Sequence, residues 1–189
     1  MDSYKPSTTI QERHPEGYPI ATIAGGCFWC VESEFRRLKG VLYTNVGYTG
    51  GNDDDPDYDK VCRGNTGHYE AIQVVFDSKQ ISYQEILEHF MTFAHDPTQK
   101  DGQGPNIGSQ YLSAIFYHDE EQKKIAEDLL QRYRDTNYFK KPIATKILPL
   151  SDYFEAELYH QQYYEKYEQK LGAKHINIHI KERKLASKS

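Results

Sequence analysis

The stretch AGGCFWCVESEF places two cysteines, Cys27 and Cys30, three residues apart behind a glycine pair. Phe28 and Trp29, two of the bulkiest side chains available, stand between them. A C-x-x-C spacing serves two kinds of chemistry, a redox-active dithiol or half of a zinc site. Two buried thiols that act as small hydrophobic side chains are the structural alternative. The spacing alone leaves all three interpretations open.

The residues around Cys27 predict the N-terminal end of a helix. Apolar residues follow the glycine pair at helical spacing, at Val31, Phe35 and Leu38. Unpaired backbone N–H groups and the positive end of the helix dipole favour a thiolate there, so we expect a lowered pKa at Cys27. Cys30 falls on the same helix face, where a disulfide to Cys27 would be somewhat strained and easily reduced. A cycling disulfide needs that property.

The predicted elements then follow the order β-α-β-β-α-β. Strands are predicted in the runs PIATIAGG, VLYTNVGYTGG, HYEAIQVVF and YLSAIFYH, with polar loops at residues 52–67 and 95–110. One helix follows Cys27, and a second begins at Ser82, where Glu85 completes a capping box. This order is that of a split βαβ unit, so we predict an α+β fold, a ferredoxin-like two-layer α/β sandwich with a mixed, mainly antiparallel sheet.

A C-terminal extension is predicted to follow this core. It comprises a helix at residues 119–135, a strand at 143–148, a tyrosine-rich helix from Ser151 and an alternating strand, HINIHI. Because the chain has 189 residues and no internal repeat or low-complexity linker, we predict a single domain over residues 1–189. A polar arm at about residues 1–18 and a basic tail at about 181–189 flank it.

Composition excludes several classes of function. A net charge of −5 leaves no basic surface for nucleic acid. No stretch approaches the roughly 20 apolar residues of a membrane span, and the N-terminus lacks the apolar core of a secretory signal. Three cysteines are too few, and odd in number, for a disulfide framework. We therefore expect a cytoplasmic protein.

Five stretches together resemble the motifs of one enzyme family. They are GCFW at Gly26–Trp29, GYTGG at Gly47–Gly51, TGHYEA at Thr66–Ala71, GSQYLSAIF at Gly108–Phe116 and YHQQYY at Tyr159–Tyr164. In this order they resemble peptide methionine sulfoxide reductase, A type (MsrA). The resemblance implies a thiol-dependent reduction of the S-epimer of methionine sulfoxide, in proteins and as the free amino acid. It implies no cofactor other than an external dithiol.

Glu70 is the acid that the resemblance implies. A thiolate that attacks the sulfoxide sulfur needs a group that protonates the leaving oxygen. Glu70 shares a strand face with Ile72, Val74 and Phe76, where desolvation would raise its pKa and keep it protonated near pH 7. The alternative interpretation is a carboxyl at the solvated end of the strand.

The other substrate contacts also rest on the resemblance. It implies that Tyr58 and Tyr111 are phenolic donors to the sulfoxide oxygen. The substrate-binding residues that it implies are Gly26, Phe28, Trp29 and Asn106, of which the two aromatic rings would enclose the S-methyl group. Asn106 stands where the family motif has Asp, and an amide orients a water molecule but cannot act as a base. We expect activity to survive with a changed pH profile.

Recycling is expected to run through Cys30. Attack on the sulfoxide would leave Cys27 as a sulfenic acid, which condenses with a nearby thiol. The chain has no cysteine after Cys62, so the resolving cysteine of the C-terminal tail that many family members carry is missing. We expect Cys30 to resolve Cys27 and thioredoxin to reduce the resulting disulfide in a monomeric enzyme. Cys62, in a polar loop, is the rival resolving residue.

Two functions of other kinds remain open. In a zinc module, Cys27 and Cys30 would combine with His175 and His179, although HINIHI alternates like a strand. A general disulfide oxidoreductase also uses a C-x-x-C at a helix N-terminus, but it needs neither a buried carboxyl nor phenolic donors. A metal assay and an insulin-reduction assay would distinguish these functions from sulfoxide reduction.

Overall fold

This computed structural model describes residues 17–171, which contain eight strands and five α-helices. The strands are β1 (Ile20–Gly25), β2 (Val41–Thr49), β3 (Tyr69–Phe76), β4 (Gly102–Gln103), β5 (Asn106–Ile107), β6 (Ser113–Tyr117), β7 (Lys146–Pro149) and β8 (Tyr153–Glu155). The α-helices are α1 (Phe28–Arg36), α2 (Tyr58–Cys62), α3 (Tyr83–His89), α4 (Glu120–Asp135) and α5 (Tyr163–Leu171). A π-helical turn follows α3 at Phe90–Ala94, and 3-10 turns lie at Ser109–Tyr111 and Leu158–His160.

Six strands form one sheet in the order β7-β6-β1-β3-β2-β8. The four central strands pair antiparallel, with β3 between β1 and β2 and with β1 between β6 and β3. This is the strand order expected of the split βαβ unit. The outer pairs differ, because β8 joins β2 antiparallel whereas β7 joins β6 parallel. The predicted α+β class with a mixed, mainly antiparallel sheet is therefore confirmed.

The hydrophobic core lies between the sheet and helices α1, α3 and α4. Alternate residues of the central strands, such as Ile23 and Ile72, enter it from the sheet, and Phe35, Ile86 and Leu130 enter it from the three helices. The opposite sheet face is also covered, since every residue of β3 is buried. A side chain on β3 is therefore removed from water whichever face it points to.

Local sequence signals explain where the helices begin. The Ser82 hydroxyl accepts the backbone N–H of Glu85, and the Glu85 carboxylate accepts that of Ser82, so the capping box predicted for α3 is confirmed. Asp57 and Asp119 cap α2 and α4 in the simpler way, each accepting one backbone N–H. None of the helices between residues 17 and 171 is long and apolar enough to cross a bilayer.

Two predicted loops contain regular structure. The segment 52–67 includes α2, which Asp57 caps by accepting the backbone N–H of Lys60. The segment 95–110 includes the small hairpin formed by β4 and β5, and a 3-10 turn begins at Ser109. Both segments are rich in Asp, Asn and Gly, so their composition conceals elements that are only two to five residues long.

The prediction of a tyrosine-rich helix from Ser151 is wrong over its first half. Residues Tyr153–Glu155 instead form β8 and pair with β2, a tertiary contact that local propensity does not reveal. Gln162 has a φ of 53°, and α5 begins after it. The strand predicted at 143–148 lies at Lys146–Pro149. The strand HINIHI, the basic tail and most of the polar arm lie outside the described residues.

Candidate active site

Cys27 lies at the junction between β1 and α1, where it forms the N-cap of the helix. Gly26, just before it, has a φ of +97°, a conformation that favours glycine. A Cβ atom at Gly26 would stand 2.5 Å from Cβ of Gln103, so the β4–β5 hairpin packs directly against this turn. The Gln103 amide binds the backbone of Asp96, accepting its N–H at 2.8 Å and donating to its carbonyl at 3.0 Å. The Gln103 side chain, itself bound to Asp96, thereby fixes the turn that presents Cys27.

Cys27 and Cys30 are free, half-buried thiols, and each changes the pKa of the other. The interaction of the two side chains raises the pKa of Cys27, as burial also does, and it lowers the pKa of Cys30. Near neutral pH the two sulfur atoms therefore share one proton. The lowered pKa expected at Cys27 lies at Cys30 instead.

The first turn of α1 explains this difference from the prediction. The backbone N–H of Phe28 is taken by the Glu70 carboxyl, and the N–H groups of Cys30 and Val31 point to the Cys27 carbonyl. Only the backbone N–H of Cys30 lowers the pKa of Cys27, and the Cys30 thiol, which raises that pKa, has the larger effect. The Cys30 sulfur has a second donor, the Tyr164 hydroxyl, at 3.7 Å. This contact also lowers the pKa of Cys30.

Glu70 lies on β3 opposite Tyr48 of β2, with only 2% of its surface exposed. Its Oε2 accepts the backbone N–H of Phe28 at 3.1 Å, so it sits beneath the residue that follows Cys27. Burial raises the pKa of Glu70 to about 8. The carboxyl is therefore protonated near neutral pH, and the alternative of a solvated strand end is excluded.

Tyr58 and Tyr111 approach the same region from α2 and from the 3-10 turn before β6. Burial raises the pKa of both, to about 12 for Tyr111, and the carboxylate of Glu70 would raise both further. The charge of Cys27 acts on Tyr111 as well. Both phenols are therefore O–H donors at neutral pH, within electrostatic range of Glu70. Asn106 lies on β5, paired with Gln103 of β4, and is half-buried.

The two aromatic residues between the cysteines have different environments. Phe28 is 1% exposed and packs in the main core against Tyr48, with ring centroids 5.8 Å apart. Trp29 is half-buried and stacks on Tyr163, with centroids 3.8 Å apart and an interplanar angle of 6°. Phe28 is thus a core residue, whereas Trp29 keeps one part of its ring accessible. Tyr163 lies in the YHQQYY stretch, but no local pattern reveals that its ring stacks on Trp29.

Glu157 and His160 form a second group of polar contacts beside Trp29 that the sequence does not reveal. The Trp29 indole donates to His160 Nδ1 at 3.0 Å, and His160 Nε2 is 3.1 Å from Glu157 Oε2. Glu157 also accepts the backbone N–H of Tyr58 at 3.0 Å. The stretch YHQQYY contains His160, but the sequence does not show that His160 contacts Trp29 and Glu157.

Cys62, the rival resolving residue, is exposed at the last position of α2. Burial raises the pKa of the Cys62 thiol, and the nearby Tyr58 hydroxyl acts to lower it. No group of three His, Cys, Asp or Glu side chains within residues 17–171 is arranged to hold a metal ion. His175 and His179, which a zinc site would need, lie outside the described residues.

Comparison with known proteins gives consistent matches. The family model for peptide methionine sulfoxide reductase matches residues 19–189. The chain is 50% identical over 160 residues to the MsrA of Methanosarcina acetivorans, which covers 85% of each chain. It is 50% identical over 145 residues to the MsrA of Thermus thermophilus, which covers 77% of this chain and 81% of that protein.

Two solved structures are similar in fold. Reduced Mxr1 from Saccharomyces cerevisiae superimposes with a TM-score of 0.76 at 33% identity, covering 82% of this chain and 89% of that one. Methionine sulfoxide reductase A of Corynebacterium diphtheriae gives a TM-score of 0.71 at 36% identity, covering 82% and 77%. The similarity in sequence and in structure therefore extends over most of the chain.

Proposed function

The chain belongs to the peptide methionine sulfoxide reductase family, and from this premise we propose that Cys27 is its nucleophile and Glu70 its acid. The family reaction is a thiol-dependent reduction of methionine sulfoxide to methionine, and this protein is an oxidoreductase of that kind. We propose that it acts on the S-epimer, both in proteins and as the free amino acid. The observation that carries the assignment is the buried Glu70, bonded to the backbone beside Cys27.

The first step transfers oxygen from the substrate to Cys27. Cys27, reacting as its thiolate, attacks the sulfoxide sulfur, and a bond forms between the two sulfur atoms. Glu70, protonated near neutral pH, gives its proton to the sulfoxide oxygen. The hydroxyl then moves from the substrate sulfur to the Cys27 sulfur while the bond between the two sulfur atoms breaks, so methionine leaves and Cys27 is left as a sulfenic acid.

The substrate is held by donors on one side and by aromatic rings on the other. The Tyr58 and Tyr111 hydroxyls donate to the sulfoxide oxygen, because their raised pKa values keep them protonated. Trp29, supported by Phe28 and by the turn at Gly26, borders the space for the S-methyl group. The neutral amide of Asn106, in place of an Asp, leaves the acid step to Glu70. We expect the pH profile to follow Glu70 for that reason.

The second step returns Cys27 to its reduced form. The Cys30 thiol attacks the Cys27 sulfenic acid, a disulfide forms, and the oxygen leaves as water. A dithiol such as thioredoxin or dithiothreitol then reduces the disulfide by exchange, so the cycle needs no bound cofactor. We propose Cys30 rather than Cys62 as the resolving residue because Cys30 lies in the first turn of the helix that Cys27 caps, where the two thiols change each other's pKa. A monomer in a reducing compartment such as the cytoplasm fits this chemistry.

A turnover assay on the separated S and R epimers tests the proposal. Wild type is expected to reduce only the S-epimer, Cys27→Ser to be inactive, and Glu70→Gln to lose most of its rate, roughly 10²-fold or more for a general acid. Cys30→Ser should produce one equivalent of methionine and then stop when thioredoxin is the reductant. Preference for the R-epimer would overturn the proposed specificity.

Mass spectrometry of the oxidised enzyme tests the resolving residue separately. A Cys27–Cys30 bridge is expected after one turnover without reductant. A Cys27–Cys62 bridge with Cys30 free would contradict the assignment and identify Cys62 as the resolving residue. An insulin-reduction assay addresses the remaining alternative, since a general disulfide oxidoreductase would reduce insulin without needing Glu70.

A further inference from the structure

Three groups of the proposed sulfoxide pocket converge on one imidazole. His160 is fully buried at the end of the 3-10 turn before α5. Its ring centroid lies 4.6 Å from that of Tyr58, 5.2 Å from that of Phe28 and 5.5 Å from that of Trp29. A change in this one side chain would therefore reach both sides of the pocket.

The hydrogen bonds of His160 fix its protonation. Because the Trp29 indole N–H donates to Nδ1 at 3.0 Å, Nδ1 carries no proton, and the neutral ring bears its proton on Nε2. That nitrogen faces Glu157 Oε2 at 3.1 Å. Glu157 in turn accepts the Tyr48 hydroxyl and the backbone N–H of Tyr58, each at 3.0 Å. Glu157 thus ties the start of α2 to β2, and its carboxylate lies beside the His160 ring.

The turn that carries His160 is anchored on both sides. The Gln161 side chain accepts the backbone N–H of Val46 at 2.9 Å and donates to its carbonyl at 2.8 Å, which ties the turn to β2. The next backbone N–H, that of Gln162, donates to the buried Glu32 carboxyl of α1 at 2.9 Å. The imidazole is therefore held rigidly against the helix that presents Cys27.

We propose that His160 is a positioning residue that fixes the Trp29 ring and Tyr58 on opposite sides of the bound sulfoxide. This inference rests on the proposed function. It adds His160 as the residue that sets the distance between Trp29 and Tyr58 in the sulfoxide pocket. In its neutral form His160 accepts the indole N–H. Once protonated, it would present a second N–H to the indole, and the bond would break. Substrate binding should then weaken while the chemistry of bound substrate changes little.

The charged groups around His160 are few. Glu157, on the same turn, faces Nε2 and favours the imidazolium, while Lys166 of α5 disfavours it. Tyr58 and Tyr159 pack against the ring at tilted angles and are neutral phenols below about pH 9. Burial, the largest effect, lowers the pKa of His160. The bond to Trp29 is therefore intact at neutral pH and lost on acidification.

The test compares His160→Leu, which has no acceptor, with His160→Gln, whose amide oxygen can replace Nδ1. In His160→Leu we expect KM for the S-sulfoxide to rise about tenfold, the effect of one lost hydrogen bond, with kcat within about twofold of wild type. His160→Gln should restore most of the KM. A wild-type KM in His160→Leu, or equal losses in both variants, would overturn the proposal.

Fluorescence gives a second readout, because Trp29 is the only tryptophan in the chain. The emission of wild type is expected to titrate below about pH 6.5 as His160 gains its proton, and this transition should be absent from His160→Gln. His118→Gln is the matched control, since burial also lowers the pKa of His118 but that ring binds Thr22 instead. It should keep the transition.

These measurements remain informative if His160→Leu fails to fold. The wild-type titration alone would then decide, and an emission that stays constant from about pH 5 to pH 7 would contradict the proposal. They also separate this inference from the proposed function. If sulfoxide reduction itself were misassigned, wild type would show no turnover, whereas the fluorescence transition of Trp29 would persist.

Discussion

At the scale of single residues, the two cysteines differ in what surrounds their sulfur atoms. The Cys27 thiol and the Tyr164 hydroxyl, which lies 3.7 Å from the Cys30 sulfur, both lower the pKa of Cys30. The Cys30 thiol and burial raise the pKa of Cys27. The contact with Tyr164 therefore favours a negative charge on Cys30 over one on Cys27.

Replacing Tyr164 with Phe should make this asymmetry measurable. Loss of one donor is expected to raise the pKa of Cys30 by about one pH unit. Alkylation of Cys30 by iodoacetamide, followed by mass spectrometry, should then slow about fivefold at pH 7 and match wild type above about pH 9. Tyr167→Phe is the control, because Tyr167 is an exposed tyrosine on the same helix. Identical alkylation profiles for Tyr164→Phe and wild type would contradict the assignment.

The sequence pattern predicts that Cys27 begins a helix and that Glu70 is buried. It does not predict how the negative charge is divided between Cys27 and Cys30. The period of β3 put Glu70 on the same face as Ile72 and Val74, and burial then raises its pKa as expected. The first-turn N–H of Phe28 donates to Glu70, which is 42 residues away in the sequence. The local sequence therefore does not show which N–H groups remain to lower the pKa of Cys27. His160 is 131 residues from the indole that it binds, so no local pattern reveals that contact.

At the scale of elements, the site depends on the turn between β1 and α1 and on the hairpin that packs against it. Gly26 combines a positive φ with a neighbour, Gln103, that leaves no space for a Cβ atom. Gln103 belongs to β4, which is held to β5 by only two residue pairs. The placement of Cys27 is therefore coupled to a segment that the sequence presents as a polar loop.

Gly26→Ala is expected to destabilise the fold and displace Cys27. The left-handed backbone alone costs an Ala about 1 kcal/mol or more, and the contact with Gln103 adds to it. Gly64→Ala is the matched control, because Gly64 has a φ of +75° but only Ser109 Oγ, at 3.8 Å, near its Cβ position. Urea unfolding should show a larger loss for Gly26→Ala, and its yield of methionine in one turnover should fall. Equal losses in both variants would show that the hairpin contact contributes nothing.

Elements with strong local signals were predictable, and those made by pairing were not. The capping box at Ser82 marked the start of α3, and alternating apolar residues marked β1 and β3. The residues Tyr153–Glu155 belong to a run whose composition favours a helix, yet they form β8 because the edge of β2 is available to them. The free edge exists only once the sheet has formed, which is why the sequence pattern alone misses this strand.

At the scale of the whole molecule, two buried carboxyls lie between α1 and the rest of the fold. Glu32 accepts the Thr44 hydroxyl at 2.8 Å and the Gln162 N–H at 2.9 Å, and Glu70 accepts the Phe28 N–H. Burial raises the pKa of Glu32 to about 7 and that of Glu70 to about 8. The folded protein therefore keeps protons that the unfolded chain releases at lower pH. Its stability is linked to the same protonation that the proposed acid step uses.

Glu70→Gln should reveal this linkage in the free energy of unfolding. The folded pKa of Glu70 is above its unfolded value, so its contribution to stability is complete below about pH 4 and declines as pH rises towards about 8. A glutamine has no proton to lose, so the variant should gain stability relative to wild type across this window. The relative gain should approach about 1.4 kcal/mol per pH unit, measured by urea unfolding at several pH values.

Glu85→Gln provides a control of opposite sign. Its carboxylate accepts hydrogen bonds from Ser82, so its pKa is lowered and its contribution is lost as pH falls. Relative to wild type, the free energy of unfolding of this variant should therefore be most reduced at neutral pH and should approach the wild-type value in acid. A difference between Glu70→Gln and wild type that stays constant from about pH 5 to pH 8 would mean that Glu70 is ionised in the folded protein. The carboxyl could not then protonate the sulfoxide oxygen, and a different acid would have to be sought among Tyr58 and Tyr111.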